Sequence, residues 1–184
     1  MLDGQNNMQV IDSVIQNYFS LMRNSSSTQF FYIVTIFFDF SAHFLLLSFC
    51  VSFLIYLVRG IRFAILFGFS MFVGATIVYF MKLYFAVSRP LDGIVEVFGN
   101  SFPSYHATIS TIFFTMLMYS FGEYLKRPWK IIFNVFCLLG IFSVSISRVY
   151  LGVHWATDVI FGVILGALIS YFIIASSRKY VRNA

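Results

Sequence analysis

Charge is what this sequence has least of. Only 10% of its 184 residues are Asp, Glu, Lys or Arg, where an average soluble domain carries roughly 25%. That shortage excludes an ordinary water-soluble domain. With 60% hydrophobic and 21% aromatic residues, the chain reads as a membrane protein. Its length suits one compact unit, residues 1–184, rather than two domains. Cysteine is scarce as well. Cys50 and Cys137 each sit inside an apolar run, are expected buried and unpaired as small hydrophobes, and say nothing about redox compartment. The apolar runs lack a period of two, which excludes a barrel and leaves helices to satisfy the backbone in lipid. The opening stretch "MLDGQNNMQVIDS" lacks a basic n-region, so no cleavable signal peptide is expected and the internal spans would target the chain. No carboxylate cluster or His/Cys set has metal-ligand spacing, so neither metal nor other cofactor is expected.

What is there instead is a series of long oily segments. A bilayer core needs roughly 20 apolar residues per helix, and five runs qualify: about 40–58, 62–84, 104–122, 130–147 and 155–176. The fold class expected is all-α, a polytopic membrane helix bundle. Before the spans, Met8, Ile11, Val14, Ile15, Tyr18, Phe19 and Met22 recur at helical spacing, with Asp12, Asn17 and Ser20 between them. That pattern suits a helix lying in the membrane interface, and residues 1–38 are read as an interfacial region. Arg23–Thr28 ("RNSSST") reads as a hinge. The next run, "QFFYIVTIFFDF", is either a second interfacial piece or an extension of the first span. Asp39 and His43 lie four apart and are expected to pair locally.

The net charge of +5 would suit nucleic acid, but its distribution excludes that partner. Arg59 and Arg62, then Lys126, Arg127 and Lys130, then Arg178, Lys179 and Arg182 fall on one side of a five-span chain. Basic residues mark the cytoplasmic side, so most of the excess is a topology signal. The N-terminus is then outside. The opposite side keeps Arg23, Lys82, Arg89 and Arg148.

That opposite side carries the chemistry. Span two ends in "KLYFAVSRP", span three opens with "PSYH", span four ends in "SR", and span five opens with His154 and Asp158. Three segments distant in sequence bring ionisable groups to one membrane surface, where a polar group without partners costs several kcal/mol. His154 and Asp158, at i,i+4, share a helix face. The carboxylate can accept an imidazole N–H and leave the other nitrogen as base or nucleophile. Gly162, Gly166 and Ser170 continue that stripe as small residues for close helix packing. Lys82, Arg89 and Arg148 would repel one another without an anion, and phosphate answers the need, since arginine forks match its oxygens. A helix starting near Pro103–Ser104 adds unpaired N–H groups and a positive dipole end. His106 is a second imidazole there. Two histidines around one phosphate suggest divided labour, one attacking phosphorus and one protonating the leaving oxygen. Spacing alone does not say which; the pairing with Asp158 favours His154 as the attacker.

These residues resemble the type 2 phosphatidic acid phosphatase (PAP2) superfamily of integral membrane lipid phosphatases, whose pattern is K-x6-RP, then PSGH, then SR-x5-H-x3-D. Lys82, Arg89 and Pro90 match the first motif, and Ser147, Arg148, His154 and Asp158 the third. The middle motif reads Pro103-Ser104-Tyr105-His106, with Tyr in place of Gly. The likeness runs from about Lys82 to the end of span five. The N-terminal third carries no motif, and one span of the usual six is missing by this count. The resemblance implies that His154 is the nucleophile and forms a phosphohistidine. Asp158 would orient it and His106 would act as general acid. Lys82, Arg89 and Arg148 would clamp the phosphoryl oxygens, with Ser104 and the Tyr105 N–H completing the cradle. In phosphoryl transfer most of the gain is positioning and charge stabilisation, so loss of Arg148 should lower turnover as well as binding.

The substrate class expected is a membrane lipid phosphate: phosphatidylglycerol phosphate, phosphatidate, polyprenyl pyrophosphate or lipid A phosphate. The site is expected at the outer leaflet of a bacterial inner membrane. The sequence does not choose among these lipids, nor does it set an oligomeric state. A lipid-to-lipid phosphotransferase would carry the same motifs. An anion transporter or channel is a reading of another class, but no polar path leads to the cytoplasmic side.

Overall fold

The computed structural model describes residues 2–39 and 41–182. Seven helices follow in order: α1 (Leu2–Leu21), α2 (Ser25–Ile36), α3 (Ala42–Arg59), α4 (Ile61–Phe85), α5 (Tyr105–Phe121), α6 (Arg127–Tyr150) and α7 (Ala156–Arg182). Among the described residues there is no strand. Four helices, α3, α4, α6 and α7, are long and apolar enough to cross a bilayer. The chain is therefore an all-helical membrane bundle. Position 40, where the first expected span begins, lies outside the described residues, as do the side chains of Lys179 and Arg182.

The third expected span is α5, with 17 residues, about 25 Å at 1.5 Å per residue. It is shorter than its neighbours but sits among them, between α4, α6 and α7. Every residue from His106 to Phe113 is buried. Hydroxyls near its start close onto its own backbone, Thr108 on Ser104 O at 2.9 Å and Thr111 on Ala107 O at 2.7 Å, which satisfies them inside the bundle. The small stripe of α7 explains the close approach. A Cβ on Gly166 would lie 2.6 Å from the Thr108 carbonyl oxygen, and one on Gly162 would lie 2.9 Å from that of Ser104. The expected packing role of Gly162, Gly166 and Ser170 is thus directed at α5.

One end of the bundle gathers the basic termini. Arg59, closing α3, reaches Glu123 in the α5–α6 turn at 3.3 Å and lies over the Phe63 ring. Arg178 of α7 lies over Tyr119. The other end gathers the motif residues.

The N-terminal segment differs from its sequence reading in two ways and decides one point that reading left open. The break after α1 is short: Asn24 caps α2 by accepting from Ser27 N at 2.9 Å, so Ser25–Thr28 is helix and not hinge. Residues 25–36 form a separate helix that a turn divides from α3, and so do not lengthen the first span. In α1 the fully buried positions are polar, with Ile15 and Phe19 partly buried beside them. Asp12 and Gln16 are buried, whereas Met8, Ile11, Val14 and Tyr18 are exposed. A helix on a membrane bundle has lipid on its outer side, so polar groups turn inward to find partners. A last correction concerns cysteine: Cys137 is buried, but Cys50 is exposed on α3.

Candidate active site

The turn between α6 and α7 sets the site. Leu151 caps α6, and the Val153 and His154 N–H groups both donate to the Arg148 carbonyl, at 3.2 and 3.3 Å. Gly152 makes this possible. Its φ is +72°, and a Cβ there would stand 2.9 Å from Gly93 Cα, so no other residue fits without strain. His154 therefore precedes α7 instead of lying on its first turn. Asp158 reaches back to accept the Trp155 N–H at 3.0 Å. His154 Nδ1 and Asp158 Oδ2 are 3.5 Å apart, and both side chains are buried.

Ser101, which the sequence reading did not single out, stands between them. Its Oγ lies 3.3 Å from His154 Nδ1 and donates a short bond to Asp158 Oδ2. The hydroxyl proton is committed to the carboxylate, so Oγ accepts from Nδ1–H. That chain selects the tautomer with its lone pair on Nε2. The only hint in the sequence is a serine two residues before Pro103.

Nε2 faces Arg89. Arg89 Nη1 is 3.3 Å from it. Arg89 is otherwise held by carbonyls, among them Val153 O at 2.6 Å, Gly99 O at 2.9 Å and Asn100 O at 3.2 Å. Lys82 Nζ donates to Asn100 O and Ser101 O, at 2.6 and 2.9 Å. Arg148 Nη1 donates to Thr35 Oγ1 at 2.6 Å, while its buried Nε has no hydrogen-bond partner among the described residues. Among those residues none of the three cations has a carboxylate within ion-pair distance. Burial first, then the charges of Arg148, Arg89 and Lys82, push the His154 pKa well below its ordinary value. The three cations thus act on one imidazole from three elements.

Ser104 is the N-cap of α5, its Oγ accepting from Ala107 N at 3.5 Å, and its own N–H donates to the Asp158 carbonyl at 3.2 Å. Tyr105 opens the helix without a positive φ, so the glycine of the family pattern is not required by backbone geometry. Its ring stands edge-on to His106, with centroids 5.9 Å apart.

His106 is buried, and its Nε2 lies 2.6 Å from Asp39 Oδ1. This corrects the expected Asp39–His43 pair: the chain turns between α2 and α3, and the carboxylate is engaged across the bundle by α5. Other N-terminal contacts were equally illegible. Asp12 accepts from Thr157 N and Oγ1, at 3.0 and 2.5 Å, at the start of α7. Arg23 pairs with Asp92 at 3.0 Å and donates to Tyr150 O at 2.9 Å. Two grooves flank the cluster. One, apolar and about 460 Å³, runs between α1, α6 and α7. The other, about 530 Å³, opens beside Asp158 and Trp155. Neither is lined by Lys82, Arg89, Arg148 or His106.

Three comparisons bear on this arrangement. Phosphatidylglycerophosphatase B of Bacillus subtilis (strain 168) is 34% identical over 91 residues, which is 48% of this chain and 45% of that protein. The alignment thus spans about half the length of that relative. The crystal structure of a transmembrane PAP2 type phosphatidylglycerolphosphate phosphatase from Bacillus subtilis superposes with a TM-score of 0.86 at 24% identity, covering 95% of this chain and 88% of that one. Aquifex aeolicus LpxE gives a TM-score of 0.73 at 18% identity, covering 91% and 94%. At such identities both establish the fold. The model of the PAP2 superfamily matches residues 63–182, a stretch that holds all three motifs, and the chain belongs to that superfamily.

Proposed function

We propose that this chain is a lipid phosphate phosphatase that works through a phosphohistidine on His154, at the outer face of a bacterial cytoplasmic membrane. The observation that carries the reading is the set of three cations that act on His154, with Arg89 3.3 Å from Nε2, held largely by carbonyls and a hydroxyl and matched by no carboxylate ion pair among the described residues. Arg148 is buried and Lys82 and Arg89 are half-buried; like charges gathered there need a counter-ion, and a phosphoryl group supplies oxygens for each. Lys82, Arg89 and Arg148, together with Asp39 and Asp158, leave one net positive charge. A dianionic phosphate monoester turns this to one negative charge, and a proton on His106 restores neutrality. The site is balanced when it holds substrate and acid together.

The lone pair of His154 Nε2 attacks phosphorus, and the P–O bond to the lipid breaks. His106 gives its proton to the leaving oxygen. Water then attacks the phosphohistidine, His106 takes a water proton, and orthophosphate departs. Asp158 and Ser101 hold the Nδ1 proton throughout. The cations neutralise charge as it spreads over the phosphoryl oxygens, which is where most catalysis of this reaction arises. No step calls on a metal ion. Placement at one end of the membrane bundle lets acyl or prenyl chains stay in lipid while the headgroup meets the cations. Phosphatidylglycerol phosphate, phosphatidate, polyprenyl pyrophosphate and lipid A phosphate all fit that description.

The test is phosphate release from these four lipids by purified enzyme in chelator. At least one should be turned over. His154→Ala should abolish release and Asp158→Asn should cut it severely. Strict dependence on a divalent ion, or full activity of His154→Ala, refutes the mechanism. A phosphorylated lipid acceptor in place of free phosphate would make the chain a phosphotransferase.

A further inference from the structure

We infer that Asp39, which lies outside the three motifs and outside residues 63–182, is a positioning residue for His106, so that the site holds two carboxylate–imidazole pairs. The inference rests on the phosphatase reading above. His106 Nε2 and Asp39 Oδ1 are 2.6 Å apart, the separation of a strong charge-assisted bond. The ring is buried, while the carboxylate is 45% exposed. With Nε2 held by Asp39, Nδ1 is the nitrogen left to meet the leaving oxygen. The carboxylate fixes that orientation and stabilises the imidazolium that serves as acid.

The surroundings make such a partner necessary. Burial first, then Arg148 from α6, and more weakly Lys82 from α4, disfavour the charged His106 ring. His154, from the α6–α7 turn, is also close. Asp39 offsets those cations. Its place is set on both sides. Phe38 is buried and packs against Phe44, Phe113 and Phe114, with centroids 5.5–5.9 Å away. Thr35, one turn earlier, accepts from Arg148. The segment 35–39 is therefore tied to the general acid and to one phosphate clamp. The motif-free N-terminal third completes the site.

In the first step the P–O electrons pass to the lipid oxygen, which takes the Nδ1 proton of His106. In the second, the N–P electrons return to His154 Nε2 as water adds, and His106 regains its proton. Asp39 keeps the Nε2 proton in both. Its removal should therefore matter most where the leaving oxygen needs that proton. The probes are an alkyl phosphate and a nitrophenyl phosphate carrying the same hydrocarbon chain, since the nitrophenolate departs without protonation. Asp39→Asn should lower kcat/KM, which reports formation of the phosphohistidine and not its hydrolysis, by about 10- to 100-fold on the alkyl substrate, less than the roughly 10²–10⁴-fold of a whole general acid because His106 itself remains. On the nitrophenyl substrate the fall should be less than about threefold, which also reports a folded site. Asp39→Glu should recover part of the loss. On the alkyl substrate, Asp39→Asn combined with His106→Ala should lose no more than His106→Ala alone. Equal losses on both substrates, no loss, or additive losses in the double variant overturn the inference. A wild-type enzyme that releases phosphate from neither substrate overturns instead the phosphatase reading beneath it.

Discussion

Replacing Ser101 with alanine tests how His154 and Asp158 communicate. The direct separation, 3.5 Å, is long for a hydrogen bond, and the Ser101 hydroxyl bridges it. Hydrogen bonds to charged groups contribute about 1.5–3 kcal/mol. Since 1.36 kcal/mol is about tenfold in rate, full transmission to the transition state would cost roughly 10- to 150-fold. Two features reduce that figure. Asp158 keeps the Trp155 N–H at 3.0 Å, and a small rotation closes the direct gap to Nδ1. The expected loss is therefore at the low end, about tenfold in kcat. KM should change by less than about twofold, because the hydroxyl does not touch the phosphate. Ser101→Thr, which keeps the hydroxyl, should restore part of the rate if the extra methyl is accommodated. The assay is initial-rate phosphate release in mixed micelles over a range of substrate. Ser101→Ala activity within about twofold of wild type, or a loss confined to KM, refutes the bridge.

Three further changes have defined outcomes. Tyr105→Gly should stay active and shift preference among lipid phosphates, because α5 starts there without a positive φ; total loss in the same substrate panel would mean a chemical role for the phenol. Gly166→Ala places a methyl against the Thr108 carbonyl and Thr111 Cβ, at 2.6 and 2.8 Å, and should destabilise the α5–α7 contact by about 1–3 kcal/mol, read as a lower melting temperature in detergent. Arg89→Met removes one of the charges that, after burial, hold the His154 pKa down. Losing a cation makes protonation easier, so the acid limb of kcat/KM should move to higher pH than in wild type with the same substrate; an unmoved or lowered limb contradicts the assigned electrostatics.

Much of the site was legible because its parts are stiff and local. Arg148, His154 and Asp158 are confined to eleven residues spanning one helix end, one turn and one helix start. Their spacing alone brings them to one end of the bundle. Lys82 and Arg89 close the C-terminal end of α4 and its loop, and the length of the apolar run is enough to say which end of the helix that is. The misreadings fall where a residue's partner lies far along the chain. Asp39 was paired with His43, its neighbour four residues on, but the carboxylate meets His106, 67 residues away. Ser101 carries no signal in its own neighbourhood, since its partners are 53 and 57 residues distant. Asp12 looked like the polar face of an interfacial helix, whereas it caps α7.

The sequence by itself determined the membrane class, the long apolar helices (of the five expected spans, four are long and apolar enough to cross a bilayer), the end of the bundle that carries the ionisable groups, and the order of the three motifs. These follow from one-dimensional quantities: the length of apolar runs, the sign of charge between them, and short fixed spacings. Only the tertiary structure decided that a serine hydroxyl bridges His154 and Asp158, that Arg148 is held by Thr35, and that the N-terminal third supplies a carboxylate to His106. Such contacts depend on how helices separated by tens of residues pack side by side, and a polar atom in lipid accepts whichever partner that packing brings within reach.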